Sequence, residues 1–414
     1  MEGKPVIVIV GGGASGFFAA VALKERMPQA SVSVYEAQTH VLAKLALTGG
    51  GRCNLTNSFA SVHNPAEVYP RGANLMKKCL HQFGWREAWQ WFERHGVKLY
   101  LQEDGRVFPM SDNAAEVVGM FVHRAEALGV FVHTSCRLEH IAQTADGYSL
   151  QFAAGKPEVQ ADVVVLATGG FSSRQGEKGL FGLPLEMEKP VPSLFSFMVR
   201  DEGLRGLSGV SVPKAVVRLP GTRFSAEGAL LVTHIGLSGP AVLKLSSYAA
   251  RHLAGLSWHE RLSVNWMGLG EGEILSELQQ KLSENSARQL SSVRLEGLVG
   301  RLWLHLLKRS GVDAEMRCSG LVRKQLNRLV NTLVNDSYLI KGRAANKEEF
   351  VTCGGVALTA VRAQSLESVS CPRIYIIGEA LDIDAVTGGF NLQAAWTTAF
   401  VCATHVADVF CRLN

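Results

Sequence analysis

The sequence predicts an α/β fold whose main domain is divided along the chain by an inserted β domain and a helical domain. Three observations lead to this interpretation. An apolar, β-branched run at Val6–Val10 leads through a glycine-rich turn into a helical pattern. Short β-like runs alternate with glycines from about 191 to 267, and the pattern becomes helical from about 270 to 343. Alternating strand and helix patterns then return at about 350–400.

The first glycine-rich turn carries a phosphate-binding pattern. Gly11, Gly13 and Gly16 fill G-x-G-x-x-G between a strand and a helix, and a second strand, Ser31–Tyr35, ends at Glu36. The first glycine permits the turn, the second lets the backbone approach a pyrophosphate, and the third lets helix and strand pack closely. The helix N-terminus attracts phosphate, and Glu36 is placed to accept hydrogen bonds from a ribose. This order predicts a Rossmann-like dinucleotide-binding domain, without choosing between FAD and NAD(P).

The composition is that of a globular protein of two or three domains. The chain has 414 residues, of which 47% are hydrophobic and 19% are charged. Its net charge of +5 does not by itself require a nucleic acid or a membrane surface as partner. The eight cysteines are scattered without a C-x-x-C pair, so neither a zinc ribbon nor an iron–sulfur cluster is expected, and no metal site is predicted. Reduced thiols of a cytoplasmic protein are the expected state.

Two uncharged runs, Pro5–Leu23 and Ala385–Thr404, have lengths that a signal peptide or a membrane span also has. The glycine turn and Glu36 explain the first run better as a strand, a turn and a helix. The second run contains glycines, threonines, Asn391 and Gln393, which make it too polar for a convincing span. We therefore expect a soluble, cytoplasmic protein without membrane insertion.

Two further glycine-rich stretches follow the first motif. In GGGRCN at Gly49–Asn54, three consecutive glycines indicate a close approach of the backbone to a ligand, and Arg52 offers a charge for a phosphate or a substrate carboxylate. A plain surface loop is the alternative interpretation. The strand in Ala161–Gly170 ends in a sharp turn through Thr168 and Gly169, which is a companion of the first motif in FAD-binding flavoproteins.

The C-terminal segment favours FAD over NAD(P). The strand in Arg373–Glu379 ends in Gly378 and Glu379, and an acid at this place can hold a ribityl hydroxyl. Gly388 and Gly389 precede a helix whose N-terminus can lie under the flavin edge where negative charge develops on reduction. An enzyme that binds only NAD has no such requirement.

The middle of the chain offers a candidate proton donor. In THIGLSGP, Ser238 is predicted to cap, and Pro240 to begin, a helix that runs to about Leu253. His234 lies just before this helix and is either a hydrogen-bonded structural histidine or a proton donor near the flavin. Between 270 and 343 there are 12 Lys and Arg against 8 Asp and Glu. A solvated helical face is the default interpretation of this excess, and an RNA-facing surface is the alternative.

Periodicity predicts further elements before the insertion. Trp85, Ala88, Trp89 and Phe92 share one face of a helix over 72–95, and this aromatic stripe is expected in the core. The other predicted elements are a hairpin at 98–108, a helix at 112–128 and strands near 130–134 and 148–152.

Together these motifs resemble the three-domain bacterial NAD(P)/FAD-dependent oxidoreductases known as the BaiN-like flavoproteins. The resemblance covers nearly the whole chain and rests on GGGRCNLTN (Gly49–Asn57), THIGLSGP (Thr233–Pro240), TCGGV (Thr352–Val356) and GEALDIDAVTGGFNLQAA (Gly378–Ala395). It implies a discontinuous FAD-binding Rossmann-like domain at 1–190 and 345–414. It further implies an inserted β-barrel-like domain at 191–268 and a helical domain at 269–344.

The resemblance also implies which residues hold a tightly but noncovalently bound FAD. Those expected along its adenosine, pyrophosphate and ribityl parts are Ala14, Ser15, Glu36, Lys44, Arg52, Cys53, Asn54 and Leu138. Those expected around the flavin are Glu379, Asp384, Gly389, Asn391 and Leu392. The motif residues Gly11, Gly13, Gly16, Gly51, Thr168, Gly169 and Gly378 complete the predicted cofactor site. Ala385 and Phe390 stand where the family usually has glycine and tyrosine, so one hydroxyl is missing here.

The expected activity is the FAD-dependent reduction of an activated C=C or C=O in a small organic substrate, with NADH or NADPH as electron donor. His234 is the candidate for proton delivery and Arg52 for substrate anchoring. Cys53 and Cys353 lack a C-x-x-C partner, so a redox-active thiol is not favoured.

Three alternative functions stay open at this point. The first is a flavin oxidase that acts on a small amine or aminoketone with O2, since a separate NAD(P) domain is not obvious. The second is an RNA-modifying flavoprotein, since the helical domain is basic. The third is a flavin-dependent sensor or scaffold without turnover. A small molecule is the expected partner and a nucleic acid is not, while the sequence does not fix the oligomeric state.

Overall fold

The computed structural model describes residues 4–153, 155–171, 180–344 and 351–413. Its strands are β1 (Val6–Val10), β2 (Ser31–Tyr35), β3 (Thr56–Asn57), β4 (Leu99–Leu101), β5 (Arg106–Pro109), β6 (Phe131–His133), β7 (Leu138–Gln143), β8 (Tyr148–Phe152), β9 (Val159–Ala161), β10 (Val163–Leu166), β11 (Met187–Ser193), β12 (Phe197–Val199), β13 (Ser211–Arg218), β14 (Ser225–Thr233), β15 (Gly236–Ser238), β16 (His259–Asn265), β17 (Asp336–Arg343), β18 (Val351–Val356) and β19 (Ile374–Ile376). Its helices are α1 (Ala14–Arg26), α2 (Ala43–Gly51), α3 (Ala73–Leu80), α4 (Trp85–Arg94), α5 (Ala114–Ala127), α6 (Glu202–Arg205), α7 (Pro240–Tyr248), α8 (Ala250–Gly255), α9 (Glu271–Glu284), α10 (Gly300–Ser310), α11 (Arg323–Asn335) and α12 (Phe390–Leu413).

The chain forms two compact units. The first unit comprises Met1–Pro192 and Phe350–Asn414, and the second comprises Ser193–Glu349. The first unit is therefore discontinuous in sequence, and the second is inserted into it. The predicted domain boundary near 345 lies outside the described residues, and the division of the second unit into separate β and helical domains stays a prediction.

The first unit is built on a parallel sheet with the strand order β19-β10-β1-β2-β6. The central strand β1 is apolar because both faces of a parallel sheet are normally covered, and Ile7, Val8 and Ile9 are fully buried. The carboxyl ends of β1, β10 and β19 lie at one edge of this sheet. The turns that follow them are thereby brought together, which is where such sheets bind ligands.

Helix α12 connects the C-terminal segment to the core of the first unit. It packs along α1, and Trp396 lies 5.7 Å from Phe18 and 5.6 Å from Phe121 between ring centroids. Within α12, Phe390–Cys411 is long and apolar enough to cross a membrane by length and composition, and 67% of its apolar window is buried inside the protein. A core helix of this kind passes the same test.

The second unit contains a closed antiparallel barrel with the order β12-β15-β14-β13-β16-β17. Helices α9, α10 and α11 share one continuous hydrophobic core with the barrel, in which Trp266, Trp303 and Ile340 are all buried. The predicted fold class, a Rossmann-type sheet with a barrel and helices, is confirmed.

Two local predictions were wrong. The helix predicted over 72–95 is two helices, because Gly84 has an extended backbone and begins α4 as its N-cap. Trp85 and Trp89 are half-exposed rather than core residues. The segment 336–343 was predicted as helical, but it is the barrel strand β17, whose residues alternate between buried and exposed.

Candidate cofactor-binding site

The turn after β1 leaves an open space in front of α1. Gly11 has a φ of +111°, and a Cβ there would lie 2.2 Å from the carbonyl oxygen of Ala167. A Cβ on Gly16 would lie 2.0 Å from the carbonyl oxygen of Gly11. Both positions therefore require glycine for close packing. A Cβ on Gly13 would meet nothing within 4 Å, so this turn has room for a ligand beside Ala14, the first residue of α1.

The Glu36 carboxylate is fixed against this turn. Its Oε2 accepts a hydrogen bond from the Gly12 N–H at 2.8 Å, and its Oε1 accepts one from the Gln38 N–H at 2.7 Å. Each carboxylate oxygen can accept a second bond, so the side chain keeps capacity for ribose hydroxyls. The sequence predicted the acid but not its bond to the glycine turn.

An aromatic stack lies next to Leu138, the residue expected at the adenine. The Tyr35 ring stacks on His133 and on Phe152 with centroid distances of 4.5 Å in both cases. Phe152 is the strand partner of Leu138, which is buried at the start of β7. Neither the strand β7 nor this stack was predicted.

The second glycine-rich stretch bends sharply at the end of α2. Gly49, Gly50 and Gly51 all have positive φ, between +60° and +86°. A Cβ on Gly49 would lie 2.8 Å from the backbone nitrogen of Asn54, whereas Gly50 and Gly51 have nothing within 4 Å of that position. The close backbone path expected from three glycines is thus present, with open space beside the last two.

Cys53 follows this bend and is buried with a φ of +61°. Burial raises the pKa of its thiol to about 12, and a hydrogen bond with Thr48 offsets this only in part. The thiol is therefore protonated at neutral pH, which argues against a reactive thiolate.

Arg52 is engaged with protein groups. Its Nη2 donates to Asp112 Oδ1 at 2.7 Å and to the Tyr100 hydroxyl at 2.6 Å, and the guanidinium lies 4.2 Å from the centroid of the Phe108 ring. The Tyr100 hydroxyl and Arg52 both lower the pKa of Asp112. An anion bound by Arg52 would therefore compete with the Asp112 carboxylate.

Glu379 joins two parts of the predicted site. Its Oε1 accepts the Thr352 N–H at 2.7 Å, and its Oε2 lies 3.2 Å from Lys44 Nζ. The preceding Gly378 has a φ of +64°, and a Cβ there would lie 2.6 Å from Ser15 Oγ at the start of α1. The structure therefore brings the C-terminal motif next to the glycine-rich turn after β1, which is called the phosphate turn below.

The turn after β10 reaches the same place. A Cβ on Gly169 would lie 3.8 Å from Glu379 Oε2, and one on Gly170 would lie 2.8 Å from Glu379 Oε1. Thr168 is half-buried between these groups and the first turn, where a Cβ on Gly11 would lie 3.0 Å from its Cα. Turns from three strands thus meet at one edge of the sheet.

The motifs at 49–57 and 378–395 also contact each other. With its amide oriented to satisfy both partners, Asn54 accepts the Gly389 N–H at 3.0 Å and donates to the Thr56 carbonyl at 3.2 Å. Asn57 Nδ2 donates to the Gly388 carbonyl at 3.0 Å. A Cβ on Gly389, at φ +92°, would lie 2.4 Å from the Thr56 carbonyl oxygen. These contacts fix the N-terminus of α12.

The loop before α12 is held by a buried ion pair and by hydrogen bonds from one side-chain amide to the backbone. The Asp384 carboxylate is fully buried and forms a two-pronged ion pair with Arg71, whose side chain is 10% exposed. Asn391 accepts the Ala385 N–H and donates to the Ala385 carbonyl, both at 2.9 Å. Leu392 is half-buried in the first turn of α12. Asp384 and Asn391 thus support the loop, in addition to any contact with a cofactor.

Sequence reasoning missed the residues that surround Phe390. The Phe59 ring packs edge-on against Phe390 with centroids 5.0 Å apart, and the Tyr69 hydroxyl donates to the Phe390 carbonyl at 2.9 Å. Arg71 was also missed, because nothing in the YPRG segment before α3 identifies it as the partner of Asp384, 313 positions away.

His234 lies in the second unit, at the tip of the hairpin that joins β14 and β15. It is exposed, and the neighbouring Thr233 hydroxyl closes the turn through hydrogen bonds with Gly236. Pro240 begins α7 as predicted, but Ser238 does not cap it. Gly239, at φ +92°, occupies the N-cap position. The Ser238 hydroxyl instead hydrogen-bonds the Ser196 hydroxyl at 2.6 Å.

A family model described as the HI0933-like protein Rossmann domain matches residues 5–405 of the chain. The chain belongs to the HI0933-like family. Its relatives include the 3-dehydro-bile acid delta(4,6)-reductase of Clostridium scindens, which is 28% identical over 414 residues. The alignment covers 97% of this chain and 99% of the relative. The ribosomal RNA dihydrouridine synthase of Haemophilus influenzae is 25% identical over 410 residues, covering 97% and 98% of the two chains. The Escherichia coli protein of the same description is 27% identical, covering 96% of both chains.

A solved structure of Escherichia coli quinol fumarate reductase shares the fold, with a TM-score of 0.50 and 13% identity over 99% of this chain and 71% of that chain. Membership of the HI0933-like family and the similarity to the bile acid reductase confirm the predicted family. The protein is an FAD-dependent oxidoreductase of this family.

Proposed function

We propose that the protein passes a hydride from NADH or NADPH, by way of FAD, to a C=C bond conjugated with a carbonyl group. The observation that carries the proposal is the meeting of the two motif loops at the N-terminus of α12, through the contacts of Asn54 and Asn57. The relative from Clostridium scindens is, by its name, a reductase of this kind of bond. A reductant supplied by NAD(P)H is consistent with a cytoplasmic enzyme.

The residues present fit a dinucleotide that carries a flavin. The open space at Gly13 accepts a pyrophosphate in front of α1, where N–H groups without helical partners carry partial positive charge. Glu36 is fixed in place and retains lone pairs for the ribose hydroxyls. Glu379 lies where the turns from three strands meet and is a suitable acceptor for a ribityl hydroxyl.

FAD, when bound, supplies hydride transfer at its N5 atom. The chain would hold it so that the first turn of α12, beyond Gly389, faces the part of the flavin that gains negative charge. In the overall reaction one alkene carbon gains the hydride and the other gains a proton, while the nicotinamide is oxidised. The proton requires a donor that is ordered near the substrate or a water molecule.

His234 is our candidate for this donor. Its exposure at a hairpin tip leaves the imidazole ring accessible to a substrate. Replacing His234 by Ala should slow product formation and leave the bound FAD unchanged. The matched control is His259→Ala in the same unit, because His259 is also exposed and its Nδ1 only contacts the Ser257 carbonyl. Loss of FAD from the His234 variant would instead assign a structural role.

A second candidate substrate is a uridine in ribosomal RNA. Two relatives, from Haemophilus influenzae and Escherichia coli, are named ribosomal RNA dihydrouridine synthases and align with at least 96% of this chain. Dihydrouridine arises when the uracil C=C bond, which is conjugated with a carbonyl, is reduced. The reaction class is therefore the same as for a conjugated enone, and only the size and charge of the substrate differ.

The test begins with anaerobic stopped-flow absorbance of the yellow protein mixed with NADH and then with NADPH. We expect rapid bleaching of the flavin band with one of them. The reduced protein is then mixed with a steroidal enone or with RNA transcribed without modifications, and the product is examined by mass spectrometry for the gain of two hydrogens. Absence of bleaching with both nicotinamides would refute the proposed donor. Peroxide formation with amines would then favour the oxidase alternative.

A further inference from the structure

The exposed face of α11 carries an unusual set of side chains. Arg323, Lys324, Asn327, Arg328 and Asn331 are all exposed and lie together on the outer face of this helix in the second unit. The whole helix, Arg323–Asn335, contains no Asp or Glu. Its outer surface therefore presents three positive charges together with amide groups that donate hydrogen bonds.

These charges do not serve the stability of the helix. Arg323 and Lys324 occupy its first two positions, where the positive end of the helix dipole disfavours cations. Within the described part of the chain, no carboxylate lies within ion-pair distance of either residue or of Arg328. By contrast, the Arg309 guanidinium of the neighbouring helix α10 is paired with two buried or half-buried carboxylates. Cations gathered without a partner at an unfavourable place indicate an anionic ligand outside the chain.

We propose that this face of α11 binds the phosphodiester backbone of RNA. The inference rests on the second candidate substrate of the proposed function, a uridine in ribosomal RNA. A row of cations along one helix face matches a series of phosphates better than it matches a single small anion. These five residues include no aromatic side chain on which a base could stack, so the contact is to the backbone and independent of base sequence.

The test measures binding, so that it does not depend on turnover. A fluorescein-labelled RNA hairpin with uridines in its loop is titrated with the FAD-loaded protein, and anisotropy is recorded at several concentrations of KCl. The variant carries Arg323→Gln, Lys324→Gln and Arg328→Gln, since glutamine keeps helix propensity and removes charge. Each lost phosphate contact should reduce the slope of log affinity against log salt by about 0.7, so three should reduce it by about 2. At low salt we expect affinity to fall at least about tenfold.

The control removes the same charge elsewhere. Lys77, Lys78 and Lys98 are exposed on the first unit, and their joint replacement by Gln should leave RNA affinity within twofold of the unaltered protein. Circular dichroism and flavin content should be equal in both variants. If the triple variant of α11 proves misfolded, Arg328→Gln alone should still reduce the slope by about 0.7.

Three results would overturn the inference. An unchanged salt slope in the α11 variant would show that this face makes no phosphate contacts. An equal loss in the lysine control would make the binding a consequence of net charge. Equally tight, α11-dependent binding to vesicles of phosphatidylglycerol would identify a membrane surface rather than RNA. Failure of the proposed reductase function can be distinguished from failure of this inference. The flavin would then not bleach with NADH or NADPH, while RNA binding through α11 persisted.

Discussion

Replacing Arg71 by Met should destabilise the first unit more than any exposed ion-pair substitution. Asp384 is fully buried, and the Arg71 side chain that neutralises it is only 10% exposed. Removing one partner of a buried ion pair takes the countercharge from the other and costs about 3–5 kcal/mol in the free energy of unfolding. For a unit of this size, each kcal/mol lowers the melting temperature by about 2–4 °C, so the expected decrease is roughly 6–20 °C.

The assay is differential scanning calorimetry of the flavin-free protein, because bound FAD would add its own stabilisation. The control is Arg106→Gln, which removes an exposed pair with Asp104 and should cost about 1 kcal/mol or less. The double variant Arg71→Met with Asp384→Asn also removes the buried carboxylate charge and should recover most of the loss. If the single Arg71 variant had the same melting temperature as the Arg106 control, the assignment of a buried, energetically coupled pair would be refuted.

Three other outcomes follow from the site. Glu36→Ala removes an acceptor that is hydrogen-bonded to the phosphate turn, and FAD affinity measured by fluorescence quenching should fall about tenfold or more. Gly389→Ala places a Cβ 2.4 Å from the Thr56 carbonyl, so equilibrium dialysis should reveal impaired flavin retention. Because burial raises the pKa of Cys53 to about 12, iodoacetamide at pH 8 should alkylate the exposed Cys411 first, as peptide mass spectrometry would reveal.

The parts of the fold that could be predicted are those specified by a residue pattern within one short segment of sequence. The glycine spacing from Gly11 to Gly16, with a β-branched run before it, fixes a strand, a turn and a helix within one short segment. The strand β17 lacks such a pattern, because the exposed residue between the buried Tyr338 and Ile340 is the apolar Leu339. The helix α11 directly precedes this strand, so the helical pattern extended over it in the prediction.

The supports of the candidate site could not be predicted in this way. Arg71 and Asp384 are 313 positions apart, and Thr56 hydrogen-bonds Gln393 across 337 positions. No pattern within one window of sequence specifies such a pairing, because it depends on how α12 returns to the first unit. A charged residue at Asp384 was therefore interpreted as a cofactor contact, and its structural partner was found only in three dimensions.

Substitutions in the candidate cofactor site and on the exposed face of α11 have different costs in stability. The candidate cofactor site contains glycines at positive φ and the Arg71–Asp384 ion pair, so substitutions there cost several kcal/mol. The cations of α11 are exposed and without ion-pair partners among the described residues, so exchanging them changes stability by only about 0.5 kcal/mol. Side chains are therefore exchanged at a lower cost in stability on an exposed surface such as α11 than in the candidate cofactor site.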